Sequence, residues 1–297
     1  MLQIDNVSKT FGENIALKQL DMILEPGKVM GLIGQNGAGK TTTFRLILQF
    51  LSPTTGSILW NGHKISLADK KRIGFLPEER GLYQKRTIED QVVYFAKLHG
   101  MNRADALLAL DGWMDRLNVV GKRNDKIQSL SKGNAQKVQM IASLISEPEL
   151  IILDEPFSGL DPVNTNLMMS EIIRLRDDGS TIIFSSHDMN NVEMISDSIT
   201  MLHHGKMVLQ GSVNSIRESY GRTNIYVESP LPVSDFNKIN GIVDIVPTPS
   251  GYNITVSNPE VGRDLFNLVT KNGYITAFNQ QPPTLDQIFR NKVNSND

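Results

Sequence analysis

The stretch Gly34-Gln35-Asn36-Gly37-Ala38-Gly39-Lys40-Thr41 lies between the apolar run Val29–Ile33 and a segment, 41–51, with helical spacing, and its reading decides the fold. Three glycines let backbone N–H groups turn inward, the helix start presents the positive end of its dipole, and lysine adds a fixed charge, so the run is built to hold phosphate. A structural glycine turn would not require the full spacing ending in Gly-Lys-Thr between a strand and a helix. Strand, loop and helix in that order predict an α/β core organised around a phosphate loop.

Outward from this loop, residues 2–7 and 16–24 read as strands, with Pro26-Gly27 as a turn, and 56–60 reads as a strand before the hairpin signal Asn61-Gly62. These predict an N-terminal antiparallel β subdomain. From Thr87 the pattern changes. Thr87-Ile88-Glu89-Asp90 resembles a capping box, Val92, Val93, Phe95, Ala96 and Leu98 form an apolar helical face, and further helices are expected over 103–117 and 131–148. The segment of about 87–149 is thus a helical insertion. Beyond it, 151–153 is a strand buried on both faces, 162–179 a helix with Pro near its start and Gly past its end, 181–185 another strand, and 201–209 a closing hairpin around His204-Gly205. The α/β core with its insertion is expected to span 1–211. Residues 212–297 mix strands at 225–228, 242–246, 252–257 and 274–278 with helices at 261–270 and 285–292, which fits a small α+β domain.

Composition narrows the function classes. At 297 residues, 40% hydrophobic and 21% charged, the chain is an ordinary globular protein with room for a large domain and a smaller companion. A formal net charge of -2 gives no reason to expect nucleic acid as a partner. Absence of cysteine excludes disulfides and thiolate metal sites and fits a reducing compartment. Residues 1–6 lack a basic and apolar leader, so secretion is not expected, and no apolar run reaches the roughly 20 residues of a membrane helix. The histidines at 63, 99, 203 and 204 match no metal-ligand spacing and read as structural.

The loop residues Gly34 to Thr41, together with Thr42, are expected to cradle a triphosphate, with Lys40 on the β and γ phosphates and the Thr41 hydroxyl on Mg²⁺. Asp154 ends a buried strand, where an ionised carboxylate is costly unless it faces a cation, so Mg²⁺ is its expected partner. Glu155, the next residue, is the candidate general base for the attacking water.

The run Asp154-Glu155-Pro156-Phe157-Ser158-Gly159-Leu160-Asp161-Pro162, preceded by Leu130-Ser131-Lys132-Gly133-Asn134 and followed by Ser185-Ser186-His187, resembles the nucleotide-binding subunit of an ATP-binding cassette transporter over about residues 2–211. The resemblance implies that Ser131 and Gly133 contact the γ phosphate of ATP held by an opposite subunit, through anion binding at a helix start. It implies that 158–161, with Asp161, joins the two sites, that His187 is the switch histidine, and that Phe11 stacks on adenine. The partners implied are a second copy or a related ATPase subunit, and a transmembrane permease. Through that permease the chain would sit peripherally on the cytoplasmic face of the membrane.

Departures from the family pattern refine this. Where glutamine is usual, the chain has Glu78 in Pro77-Glu78-Glu79-Arg80; Glu78 can accept a Mg²⁺ or water contact but, ionised, cannot donate as an amide does. Lys132 stands where glycine is common and Asn134 where glutamine is common. The motif of residues 76–83, the Leu-Ser-Lys-Gly-Asn variant and the C-terminal tail together resemble exporters of the ABC-2 class. A soluble cassette ATPase acting on ribosomes or DNA is the alternative; the single glycine loop, the short insertion and near-neutral charge weigh against it.

Overall fold

The computed structural model describes residues 1–79, 81–271 and 273–294, so Arg80 lies outside the described residues. The chain divides into two compact units, Met1–Gln210 and Gly211–Asp297, each with its own apolar core. The first runs β1 (Leu2–Phe11), β2 (Asn14–Leu24), β3 (Val29–Ile33), α1 (Lys40–Ile47), β4 (Thr55–Trp60), β5 (Ile73–Leu76), α2 (Ile88–Leu98), α3 (Arg103–Arg116) and α4 (Lys132–Leu144). It continues through β6 (Leu150–Leu153), α5 (Pro162–Asp177), β7 (Thr181–Ser186), α6 (Met189–Ile195), β8 (Ser198–His203) and β9 (Lys206–Ser212).

Two sheets form this unit. β1 pairs antiparallel with β2 and β4, giving the small sheet β2-β1-β4 that the alternating apolar pattern predicts. β1 runs four residues beyond the expected end because register shifts between Ile4 and Val7 and between Val7 and Lys9 break its period-2 pattern. The larger sheet has the order β5-β6-β7-β3-β8-β9, with parallel pairing from β5 through β8. Every residue of β3, β6 and β7 is buried, as expected of parallel strands covered on both faces. Their register sets the site. Leu153 pairs with Phe184 and Ile33 with Ser186, so the carboxyl ends of β6, β7 and β3 lie side by side, where open α/β sheets hold ligands.

The insertion α2, α3 and α4 packs as three helices whose starts are capped by Thr87, Asn102 and Ser131, each accepting from the backbone N–H three residues on. Besides the four-residue helix Val233–Phe236 of the second unit, two short helices do not follow from periodicity. In α6 the cap is Asp188, and α7 (Val213–Ser219) is capped by Ser212; both are too short for a 3.6-residue period to stand out.

The second unit continues from α7 through β10 (Asn224–Val227), α8 (Val233–Phe236), β11 (Ile242–Pro247), β12 (Tyr252–Val256), α9 (Val261–Thr270), β13 (Phe278–Gln281) and α10 (Leu285–Asn294). Its antiparallel sheet has the order β11-β12-β10-β13, and Val261, Leu265 and Val269 of α9 join Ile225, Val227, Ile254 and Val256 in its core. The strand expected at 274–278 is corrected to β13, which begins only at Phe278. Tyr274 is 94% exposed, whereas the polar Asn279, Gln280 and Gln281 pair with β10. Ladder partners therefore outweigh intrinsic strand propensity here.

Candidate active site

The glycine loop is pinned from behind. A side chain at Gly34 would begin 2.4 Å from the Leu202 carbonyl oxygen, and one at Gly39, where φ is 111°, would begin 2.7 Å from Leu17 Cδ2. The Gly205 N–H donates to Ala38 O at 3.1 Å, and Ala38 N–H to Gln35 O at 3.0 Å. The open side of the loop faces a cavity of about 780 Å³ lined by Gln35, Asn36, Gly37, Gly39, Lys40, Thr41 and Thr42, among others. Gly34 and Ala38 sit behind this surface and shape it. Lys40 is 7% exposed, and its Nζ donates to Gly34 O at 2.7 Å.

Across the same cavity stand the two carboxylates. Asp154 is 2% exposed and accepts from Thr41 Oγ1 at 2.9 Å and from Ser185 Oγ at 2.6 Å. Two hydroxyl donors to a buried charge are strong contacts, each worth about 1.5–3 kcal/mol. The Ser185 oxygen also accepts from Glu155 N–H at 2.8 Å, so one hydroxyl fixes both acidic residues. Glu155 has φ 48°, a left-handed conformation uncommon for a side chain of this size, and its Oε2 is 2.9 Å from His187 Nδ1. Its other oxygen, Oε1, lies 3.7 Å from Lys40 Nζ and has no hydrogen-bond partner among the described residues.

The oxygens of Thr41 and Asp154, adjoining a phosphate-shaped loop, form the hard donor set that Mg²⁺ prefers. Glu78, exposed in the loop after β5, lines the same cavity. Phe11 stands at the rim, 45% exposed, with Lys9 Nζ 5.0 Å from its ring centre.

The remaining predicted residues lie elsewhere. His187 reaches Glu155 but opens on a second cavity, about 360 Å³, shared with Ser158, Gly159 and Leu160. Ser131 caps α4 by accepting from Asn134 N–H, and neither Ser131 nor Gly133 lines the cavity of the glycine loop. Lys132 crosses Gly159, where a side chain would begin 2.4 Å from its Nζ. Asp161 caps α5, and the Asn164 N–H at 2.9 Å is the main cause that holds its carboxyl below the usual range. Sequence reasoning missed Ser185 as a site residue, although it stands at the end of an expected strand. It also missed Asn14, Ile15, Ala16, Lys18, His204 and Gly205 on the cavity wall, which come from strand ends without a motif.

Comparison with known proteins identifies the family and the fold. The pattern of the ABC transporter family matches residues 17–158, and that of the C-terminal domain of DrrA1-3-like ATP-binding proteins matches 211–293. The chain is 42% identical over 293 residues, 99% of its length and 98% of the relative's, to an uncharacterized ABC transporter ATP-binding protein, YhaQ, of Bacillus subtilis (strain 168). It is 30% identical over 241 residues to the linearmycin resistance ATP-binding protein LnrL of the same organism, covering 80% of this chain and 76% of that one. A solved ATP-binding subunit of an ABC transporter superposes with a TM-score of 0.68 at 29% identity, covering 74% of this chain and 93% of that chain.

Proposed function

The chain belongs to the ABC transporter family as an ATP-binding, ATP-hydrolysing subunit, and on that premise we propose that it closes head to tail with a second copy or a related subunit and drives an ABC-2 type exporter. The observation that carries the reading is the buried chain of contacts from Thr41 through Asp154, Ser185 and Glu155 to His187 at the mouth of the glycine loop. In it the Gly-loop amides and Lys40 neutralise phosphate charge, and Phe11 carries the base. Thr41 and Asp154, with Glu78 beside them, would hold Mg²⁺, which when bound supplies charge neutralisation at the transferring phosphate. Glu155 takes the proton of the attacking water through Oε1, the oxygen left without a hydrogen bond among the described residues, while His187 orients the carboxylate.

Dimerisation is supported by what the cavity lacks. Its lining contains no residue of α4, yet Ser131 and Gly133 present a helix start, exposed or half-buried, suited to phosphate. A second subunit would bring that helix start to the open side of the ATP, with Asp161 and residues 158–160 linking the two sites. Export is supported by the likeness to LnrL and by the DrrA1-3-like C-terminal domain. Among the described residues no helix is long and apolar enough to cross a membrane, so a permease would supply the path and hold the subunit at the cytoplasmic face. Glu155→Gln is expected to lower ATP turnover by roughly 10²–10⁴-fold with ATP affinity retained. Turnover at the wild-type rate in that variant would remove Glu155 from the role of base.

A further inference from the structure

Gln139 lies in α4, two turns from Ser131, and takes no part in the chemistry above. It is 3% exposed. Its Nε2 donates to Pro77 O at 3.2 Å and to Glu79 O at 3.1 Å, the carbonyls on either side of Glu78. Its Oε1 is buried with no hydrogen-bond partner among the described residues. A side chain kept only for packing would do better without such an acceptor, since a buried polar atom left unpaired is destabilising. One turn earlier on the same helix, Gln136 Nε2 donates to Pro156 O at 3.2 Å, the carbonyl following Glu155. Spacing of three residues places both amides on one face. One rigid helix thereby grips the backbone beside each of two acidic residues that line the nucleotide cavity, while its capped start carries Ser131.

We propose that Gln139 is a positioning residue for ATP hydrolysis: by clamping the carbonyls of Pro77 and Glu79 it fixes Glu78 at the cavity wall and carries any displacement of α4 into that wall. The proposal rests on the reading of Glu78 as a residue that acts on bound nucleotide. Its two parts are separable because the clamp touches only backbone, whereas the chemistry belongs to the Glu78 carboxylate. Glycine loop, Lys40 and Asp154 are untouched by the clamp, so its loss acts on turnover rather than on ATP capture.

The test is a double-mutant cycle in the full chain with Gln139→Leu, Glu78→Ala and the pair, reading kcat and KM for ATP at saturating Mg²⁺. Gln139→Met, which also lacks the donor but is unbranched, replaces the leucine variant should that one fail to fold. Removal of the clamp is expected to lower kcat by about tenfold with KM changed less than about twofold, and to add nothing further in the Glu78→Ala background, as coupled contacting groups do. Equal losses from the clamp variant with and without Glu78 would overturn the proposal, as would an unchanged kcat in an otherwise wild-type chain. If Glu78→Ala alone turns over normally, the reading of Glu78 fails and the proposal falls with it; an impaired Glu78→Ala with an additive or silent Gln139 variant overturns the proposal alone.

Discussion

Ser185 shows how one hydroxyl governs the site. It is fully buried, donates to Asp154 Oδ1 and accepts from Glu155 N–H, so Ser185→Ala strands a charged oxygen and an amide at once. Unsatisfied buried groups cost about 1–3 kcal/mol each, and a combined loss of about 2–4 kcal/mol is expected in urea unfolding. A loss under about 0.5 kcal/mol, the scale of an ordinary surface change, would show that the two contacts do not hold these residues. The sequence made Asp154 and Glu155 legible because a carboxylate pair at the end of an apolar run demands a cation or a reaction. Ser185 was not legible as a site residue because a serine near a strand end carries no such demand until the register of β6 against β7 puts it beside Asp154. Gln139 is hidden for a related reason: its partners are carbonyls more than 55 residues away in the chain, and a backbone acceptor leaves no mark in the sequence.

At the scale of the element, α4 joins capping to chemistry. Ser131 accepts from Asn134 N–H as an N-cap, a contact that serine, aspartate and asparagine make about equally well. Ser131→Ala is therefore expected to cost about 1 kcal/mol of stability, while Ser131→Asp should hold stability within a few tenths. The aspartate nonetheless sets a negative charge against the partner's γ phosphate, so ATP-driven association should be lost in the variant that folds best. Thermal unfolding and the mass in solution by light scattering read the two effects separately; association undiminished in Ser131→Asp would leave Ser131 as a cap alone. Elements with a marked apolar run or helical period were legible: β3 and α9 have the expected bounds, and α2, α4 and α5 start within one residue of them. The failures were short or polar elements. β13 owes its place to pairing with β10, and α6 and α7 to caps at Asp188 and Ser212, which a periodicity argument does not weigh.

At the scale of the molecule, the proposed mechanism makes each glycine-loop cavity half of a shared site. The cavity of the glycine loop is lined by Lys40, Thr41, Asp154 and Glu155, whereas Ser131 and Gly133 lie outside its lining, so in the proposed mechanism a second subunit completes the site. The fold makes this division legible only after the sheet is built, because residue spacing does not show which motifs share a cavity. If Glu155 is the base, Glu155→Gln is expected to arrest the cycle after closure, since an amide cannot take the proton of water while the contacts to ATP remain. The most direct measurement is the mass of purified Glu155→Gln in solution by light scattering, with Mg²⁺ and ATP, with ADP, and with no nucleotide. Twice the single-chain mass is expected with Mg²⁺ and ATP alone, and a single-chain mass with ATP once Ser131→Asp is added. A single-chain mass for Glu155→Gln with saturating Mg²⁺ and ATP would contradict it.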